Sequence, residues 1–288
     1  MTDDDRAPGN AIYERPLGLL RGGLWLLVLF FLFASIARCG GSPVSWHAIV
    51  WPLLAIPLVI NLGVMIPRLG LFARPILSVK RAAARDRIAL TFDDGPHPTE
   101  TRRILDLLDQ HGQKATFFIV GKRAESARDL VEEIVRRGHA LGNHSYHHAH
   151  STPFANVAQL AEDLMRVNGL IRQVQGRATR WFRPPVGLIS PRVRKAAEQA
   201  GLEIVAWTAK ARDGWHSTTV PQATERLVAA LRPGAILLLH DGTEKPEHHP
   251  IAAVVLADLL IAMKERGLRS VTLDELLDDS ASSTTQSS

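Results

Sequence analysis

The chain has 288 residues, 46% of them hydrophobic, a formal charge of +5 and one cysteine. That length suits one domain of about 200 residues with an appendage, and the lone Cys39 excludes an internal disulfide. No run of five or more Lys/Arg and no basic patch interleaved with aromatics occurs, which excludes a nucleic-acid partner; a basic membrane-proximal surface accounts for the charge.

Residues 1–16 read as an N-terminal tail. Residues 17–66 hold two apolar stretches, 24–37 (extended to Leu17 if Arg21 reaches the interface) and 46–66, joined by the turn-rich "RCGGSPVS". A span of the hydrocarbon core needs about 20 apolar residues, so two transmembrane helices are expected as a hairpin, with Trp25, Trp46 and Trp51 near the interfaces. A signal peptide followed by a buried helix is the competing reading. The acidic "MTDDD" start lacks its basic n-region, and Arg38 before Cys39 rejects a lipoprotein cleavage site. Arg68, Arg74, Lys80, Arg81, Arg85 and Arg87 follow the second stretch, and only Arg38 lies between the two. An inner-membrane protein with its large domain on the cytoplasmic side is therefore expected, with residues 67–85 as a basic linker.

From residue 86 the hydrophobic period switches repeatedly between strand and helix. Strands are expected at 87–92, 114–121, 140–145, 179–185, 202–209, 235–241 and 269–273. Helices are expected between them at 99–112, 126–139, 157–176, 190–201, 218–234 and 250–267. Alternation of this kind predicts a parallel sheet, here a (β/α) barrel of about seven strands spanning 86–276; the polar tail 277–288 reads as disordered. In such barrels the chemistry sits at the C-terminal strand ends. Asp93 and Asp94, His144 and His148, Arg183, Asp213 and His240 all fall there.

Two adjacent carboxylates at the end of a buried strand repel each other, so "TFDDGPHP" asks for a cation. In "NHSYHH", His144 and His148 are four apart. With one carboxylate they make a His-His-Asp site suited to Zn²⁺ or a similar divalent ion, with a position left open for water. One Asp can then ligate the metal while the other takes a proton from the water the metal activates. A solvated His-rich loop and a simple Asp-Gly turn are the plainer alternatives.

In order and spacing, "TFDDGP", "HSYHH", "RPPVG", "ARDGW" and "ILLLHD" resemble the five motifs of the polysaccharide deacetylases, the NodB-homology domain or carbohydrate esterase family four. The resemblance covers roughly residues 86–275. It implies a distorted (β/α) barrel that removes N-acetyl or other N-acyl groups from an amino sugar: a chitooligosaccharide, peptidoglycan or other polysaccharide, or a lipid-linked precursor. It implies Asp93 as general base, Asp94, His144 and His148 as ligands of one divalent metal, usually Zn²⁺, and His240 as general acid. Arg183 would pair with Asp93, and Asp213 would brace Arg183. Leu238 would wall the acetyl pocket, and a backbone N–H after Pro185 would meet the oxyanion.

The chain departs from the family pattern in two places. Val186 stands where an aromatic is usual. In the fourth motif Lys210 occupies the first Asp position, and Gly214 separates Asp213 from Trp215, which leaves the place of Trp215 in the acyl pocket open. Both changes touch substrate fit. A non-catalytic sugar-binding membrane protein would have lost the base, the acid or a ligand, and none is missing. A two-metal phosphoesterase would want more ligands than the remaining Asp213 and Asp241. His97, His139, His150, His216, His248 and His249 read as surface or loop residues. The partners implied are an N-acetylated carbohydrate and a lipid bilayer.

Overall fold

The computed structural model describes residues 13–14, four positions between 25 and 36, and residues 47–214, 217–242 and 251–282. The segment Arg87–Asp93 forms β1, buried along its whole length. Its alternation sends Ile88, Leu90 and Phe92 outward into the layer beneath the helices. Ala89, Thr91 and Asp93 lie on the opposite, inner face, as the two-residue period requires.

Seven further strands follow: β2 (Ala115–Ile119), β3 (Ala140–Asn143), β4 (Trp181–Phe182), β5 (Glu203–Ile204), β6 (Ala209–Lys210), β7 (Ile236–His240) and β8 (Arg269–Ser270). They pair in the order β5-β4-β3-β2-β1-β7-β6, with β8 beside the start of β1. Every pairing in this sheet is parallel. Helices cover the outside, as parallel sheets demand. The longest of them beyond residue 66, Val157–Gln175, buries Leu160, Leu164, Val167 and Ile171 at helical spacing. Asn156 caps its start and the left-handed Gly176 ends it.

The result is a distorted parallel (β/α) barrel that does not close. β5 and β6 are consecutive in the chain yet do not pair. The gap is filled by residues read from the sequence as linker. Ile76 bridges Val205 in parallel and Ser78 bridges Ala235 in antiparallel. Ile76, Phe118, Trp181, Val205 and Ile236 fill the lower barrel interior. Residues 76–79 are thus part of the barrel wall, with Ile76 and Val79 buried.

The two ends of the chain also differ from the sequence expectation. The helix Leu273–Ser282 runs into the segment expected to be disordered. Leu273, Leu276 and Leu277, at i, i+3 and i+4, are fully buried and pin it to the barrel. Tyr13–Glu14 pairs antiparallel with Ser78–Val79, so part of the expected tail lies against the domain. His139, expected at the surface, is 4% exposed. Its Nδ1 accepts from the Ala115 N–H at 3.2 Å, and its ring sits edge-on to Phe117. Burial pushes its pKa down to about 4, so it is a neutral core residue.

Of the two predicted spans, the first lies almost wholly outside the described residues. The second falls on the helix His47–Met65, which has 19 residues and no Asp, Glu, Lys or Arg. Side chains are described in it only at 50, 54 and 57–65. Among the described residues, no helix is long and apolar enough to cross a membrane.

Candidate functional site

The upper rim of the barrel gathers polar side chains from separate strand ends. β1 delivers Asp93 and Asp94, and its neighbour β7 delivers His240, paired in register with Asp93. β3 leads into His144 and His148, and Arg183 follows β4. The loop after β6 carries Asp213. Among the described residues, five of the six non-glycine residues with positive φ lie in these loops: Asp94, Ser145, His148, Val186 and Arg212. Such backbone costs energy and persists where packing over-determines it, often at functional sites. The β-branched Val186, at φ 59° and ψ 0°, is the costliest of them.

Asp94 Oδ1 lies 3.2 Å from His144 Nε2 and 2.9 Å from His148 Nε2. One ligand atom from each of the three residues falls within 4.8 Å of the others. His144 Nδ1 is 2.7 Å from the Arg183 carbonyl oxygen. A carbonyl only accepts, so Nδ1 carries a proton, and Nε2 is the ring nitrogen that faces Asp94. Asp94 Oδ1 is buried and has no hydrogen bond of good geometry, although both imidazoles stand close to it. Burial alone would raise the pKa of Asp94, but the two imidazoles outweigh it and hold the carboxylate well below its usual range. One carboxylate oxygen and two imidazole nitrogens gathered this closely fit a divalent cation, and the two-nitrogen, one-oxygen set suits a tetrahedral ion with an open position.

The loop carrying the histidines is itself held. Asn143 Oδ1 accepts from the Ser145 N–H at 3.0 Å, while its Nδ2 donates to the Leu164 carbonyl at 2.8 Å. Ser145 Oγ accepts from the His148 N–H at 3.2 Å.

Asp93 stands beside this cluster, its Oδ2 3.9 Å from His144 Nε2. Its Oδ1 accepts from Arg183 Nη1 at 2.7 Å. Arg183 is fully buried. It also donates to Thr91 Oγ1 at 2.9 Å and to the Val205 and Ala206 carbonyls at 3.3 and 3.0 Å, and it stacks on Phe118 at 4.2 Å. Burial draws its pKa down and the Asp93 carboxylate opposes this. A guanidinium so enclosed fixes Asp93 as an oriented carboxylate.

The expected bracing of Arg183 by Asp213 is corrected here. Arg183 takes its support from Thr91 and two carbonyls, and Asp213 serves His240. Asp213 Oδ1 lies 2.6 Å from His240 Nδ1, and its Oδ2 accepts from the His240 backbone N–H at 2.9 Å. The reason is topological: β6 adjoins β7, whereas β4 lies on the other arm of the open sheet. Burial would lower the pKa of His240, but the charge and hydrogen bond of Asp213, with Asp94 and Asp93 beyond, raise it to about 10.

Leu238, 2% exposed, lies on the inner face of β7 two residues below His240. Pro185 is buried, and Val186 presents its side chain to solvent, 54% exposed. Trp215 lies outside the described residues. Sequence reasoning did not assign Thr91, Asn143 or Asp241 a positioning role. Asp241 accepts from Thr101 Oγ1 at 2.6 Å and its carboxylate occupies the space a β-carbon on Gly95 would need; burial raises its pKa to about 7. The only sequence signal for it was its place directly after His240.

Comparison with known proteins follows the same lines. The family model "Polysaccharide deacetylase" matches residues 80–205, which takes in the Asp-Asp and His-His strand ends and Arg183. A peptidoglycan-N-acetylglucosamine deacetylase of Bacillus cereus is 36% identical over 192 residues, 66% of this chain and 87% of that protein. A chitooligosaccharide deacetylase of Bradyrhizobium sp. is 31% identical, over 70% of this chain and 97% of the relative. A family 4 acetyl xylan esterase of Clostridium thermocellum, solved with a cobalt ion, superposes with a TM-score of 0.60 at 34% identity, covering 67% of this chain and 90% of that one. The chain belongs to the polysaccharide deacetylases, the NodB-homology domains of carbohydrate esterase family four, and, like the two deacetylases, is a hydrolase of carbon–nitrogen bonds in linear amides.

Proposed function

We propose that the chain is a metal-dependent N-deacetylase of amino sugars, anchored in a membrane by its N-terminal region. The observation that carries the reading is the convergence on one rim of the Asp94–His144–His148 cluster, the Asp93–Arg183 pair and the Asp213–His240 pair. Zn²⁺, the ion the donor set suits, would polarise the acyl carbonyl and lower the pKa of an attacking water from about 15.7 toward about 7.

The protein groups divide the proton transfers. Arg183 holds one oxygen of Asp93, which leaves the other free to take the proton of the attacking water as general base. The oxyanion that develops on the acyl oxygen would be met by the backbone N–H of Val186, in the tight turn that starts at Pro185. His240, kept protonated by Asp213, gives its proton to the leaving sugar amine as the C–N bond breaks and acetate is released. Leu238 walls the acyl methyl. The exposed Val186 leaves the rim without the ring usual there, which favours a substrate held by contacts elsewhere.

The membrane reading rests on the two apolar stretches of the sequence, residues 24–37 and 46–66. The basic residues after Met65 favour the cytoplasmic face, which points to a lipid-linked amino sugar rather than an external polymer.

The test is acetate release by the full chain in neutral detergent from N-acetylglucosamine oligomers and from peptidoglycan. Release that a chelator abolishes is expected. Release indifferent to the chelator, or none from any N-acetylated glycan, contradicts the reading.

The corrected pairing of Asp213 gives a separate expectation. His240 acts while protonated, so kcat/KM falls as pH rises through its pKa, about 10 with Asp213 in place. Asp213→Asn removes the charge that raises this pKa, so the alkaline limb moves down by at least about one pH unit. A pH–rate profile of the two enzymes checks this; an unmoved limb means that His240 is not the acid.

A further inference from the structure

A second cavity of about 670 Å³ opens on the barrel wall where β5 and β6 part. The end of the apolar helix contributes Met65 and Ile66, and the β5–β6 connection contributes Trp207. Four cations line it, Arg68, Lys210, Arg212 and Arg226, with no Asp or Glu among its lining residues. None of the four forms an ion pair with a carboxylate among the described residues. Arg68 donates to the Thr208 carbonyl, and Arg226 to the Ala211 carbonyl at 3.4 Å. Lys210 is half-buried, its Nζ 5.3 Å from the Trp207 ring. Burial, and after it the neighbouring Arg212, lower its pKa. Arg212 is held in the left-handed region at φ 62°, a conformation a side chain pays for in energy.

Lys210 and Arg226 are half-buried and Arg68 and Arg212 exposed, and an anion in the cavity would offset the repulsion among the four. A carboxylate brings a single charge. A phosphate monoester brings close to two at neutral pH, with several acceptor oxygens that Arg forks bind two at a time. We infer that this cavity is a binding site for a phosphate-bearing ligand. Its position suits two sources of that group. Met65 and Ile66 place it at the end of the proposed membrane helix, where a phospholipid headgroup would lie. Trp207 joins it to the catalytic rim. The ring packs against Gly187, where a β-carbon would stand 2.4 Å from it, and lies 5.9 Å from the Arg183 guanidinium. A phosphate carried by the sugar substrate would therefore seat behind the oxyanion turn. That second source rests on the deacetylase reading; the phosphate site itself does not.

The test is titration of inorganic phosphate into the full chain in neutral detergent at low ionic strength, stripped of divalent metal so that phosphate has no ion to ligate. One saturable site per chain is expected. Lys210→Ala/Arg212→Ala, checked for an unchanged Tm, should weaken it by at least about tenfold, and Arg226→Gln should act in the same direction. His144→Ala/His148→Ala should bind phosphate like the parent chain, which separates this site from the catalytic one. No saturable binding, binding unchanged in the cation variants, or binding lost in the histidine variant overturns the proposal. Flotation with phosphatidylcholine vesicles, with and without phosphatidic acid, whose headgroup is a phosphate monoester, then identifies the source. If the Lys210/Arg212 variant loses the added affinity for phosphatidic acid, the site holds a headgroup. If it floats like the parent while losing inorganic phosphate, the site holds a soluble or substrate phosphate.

Discussion

Asp93→Asn is expected to lower kcat for acetate release by about 10³-fold while the chain keeps its metal. General-base catalysis is worth about 10²–10⁴-fold, and the amide that replaces the carboxylate has the same shape but cannot take a proton. The geometry separates this residue from the ligands. Asp93 Oδ1 is committed to Arg183 at 2.7 Å, whereas the contacts to His144 and His148 at 3.2 and 2.9 Å belong to Asp94. Metal content per chain and kcat, measured on one preparation, decide the matter. A variant that loses metal would make Asp93 a ligand. A variant that turns over at the parent rate would make it structural. KM should change little, because the substitution removes an interaction made in the transition state.

His148→Ala is expected to weaken metal binding by at least about a hundredfold and to abolish turnover at sub-micromolar free metal. Loss of a group that merely supports a ligand costs about 10–100-fold, which sets a lower bound for loss of a ligand itself. The rise in Tm that metal binding gives the parent chain should vanish with it. Competition against a chromogenic chelator measures the affinity directly; equal affinity in parent and variant would remove His148 from the ligand set. High metal concentrations should restore part of the activity in His148→Ala and none in Asp93→Asn.

Much of the site was legible because the barrel reduces it to strand ends. A buried strand that stops in Asp-Asp-Gly-Pro, and another that runs into two histidines four apart, place their polar residues on one rim without any knowledge of strand order. Partners across the rim were not legible. Asp213 reads as a brace for Arg183 until the sheet order puts its strand beside that of His240 and leaves Arg183 on the far arm. The support for Arg183 comes from Thr91, which in sequence is one more β-branched residue in a strand, and from carbonyls, which no sequence marks.

The ends of the domain were misread for a compositional reason. Residues 67–85 carry enough Lys and Arg to look like a solvated linker, yet Leu71, Ile76, Val79 and Ala84 among them are buried. The few apolar positions decide where the segment lies. At the other end, Leu276 and Leu277 at helical spacing from Leu273 were outvoted by the polar residues that follow. His139 looks in sequence like the chain's other surface or loop histidines, but the strand it introduces buries it on Phe117.

The central claim is that one divalent ion at Asp94, His144 and His148 makes the rim a deacetylase. The most direct measurement is a titration of the metal-stripped full chain with Zn²⁺, following acetate release from N-acetylglucosamine oligomers. Activity should rise linearly and level off at one equivalent per chain, with Asp93→Asn taking up the same equivalent and releasing acetate about 10³-fold more slowly. Full turnover in the stripped chain, or one that takes up no Zn²⁺ at all, would contradict it.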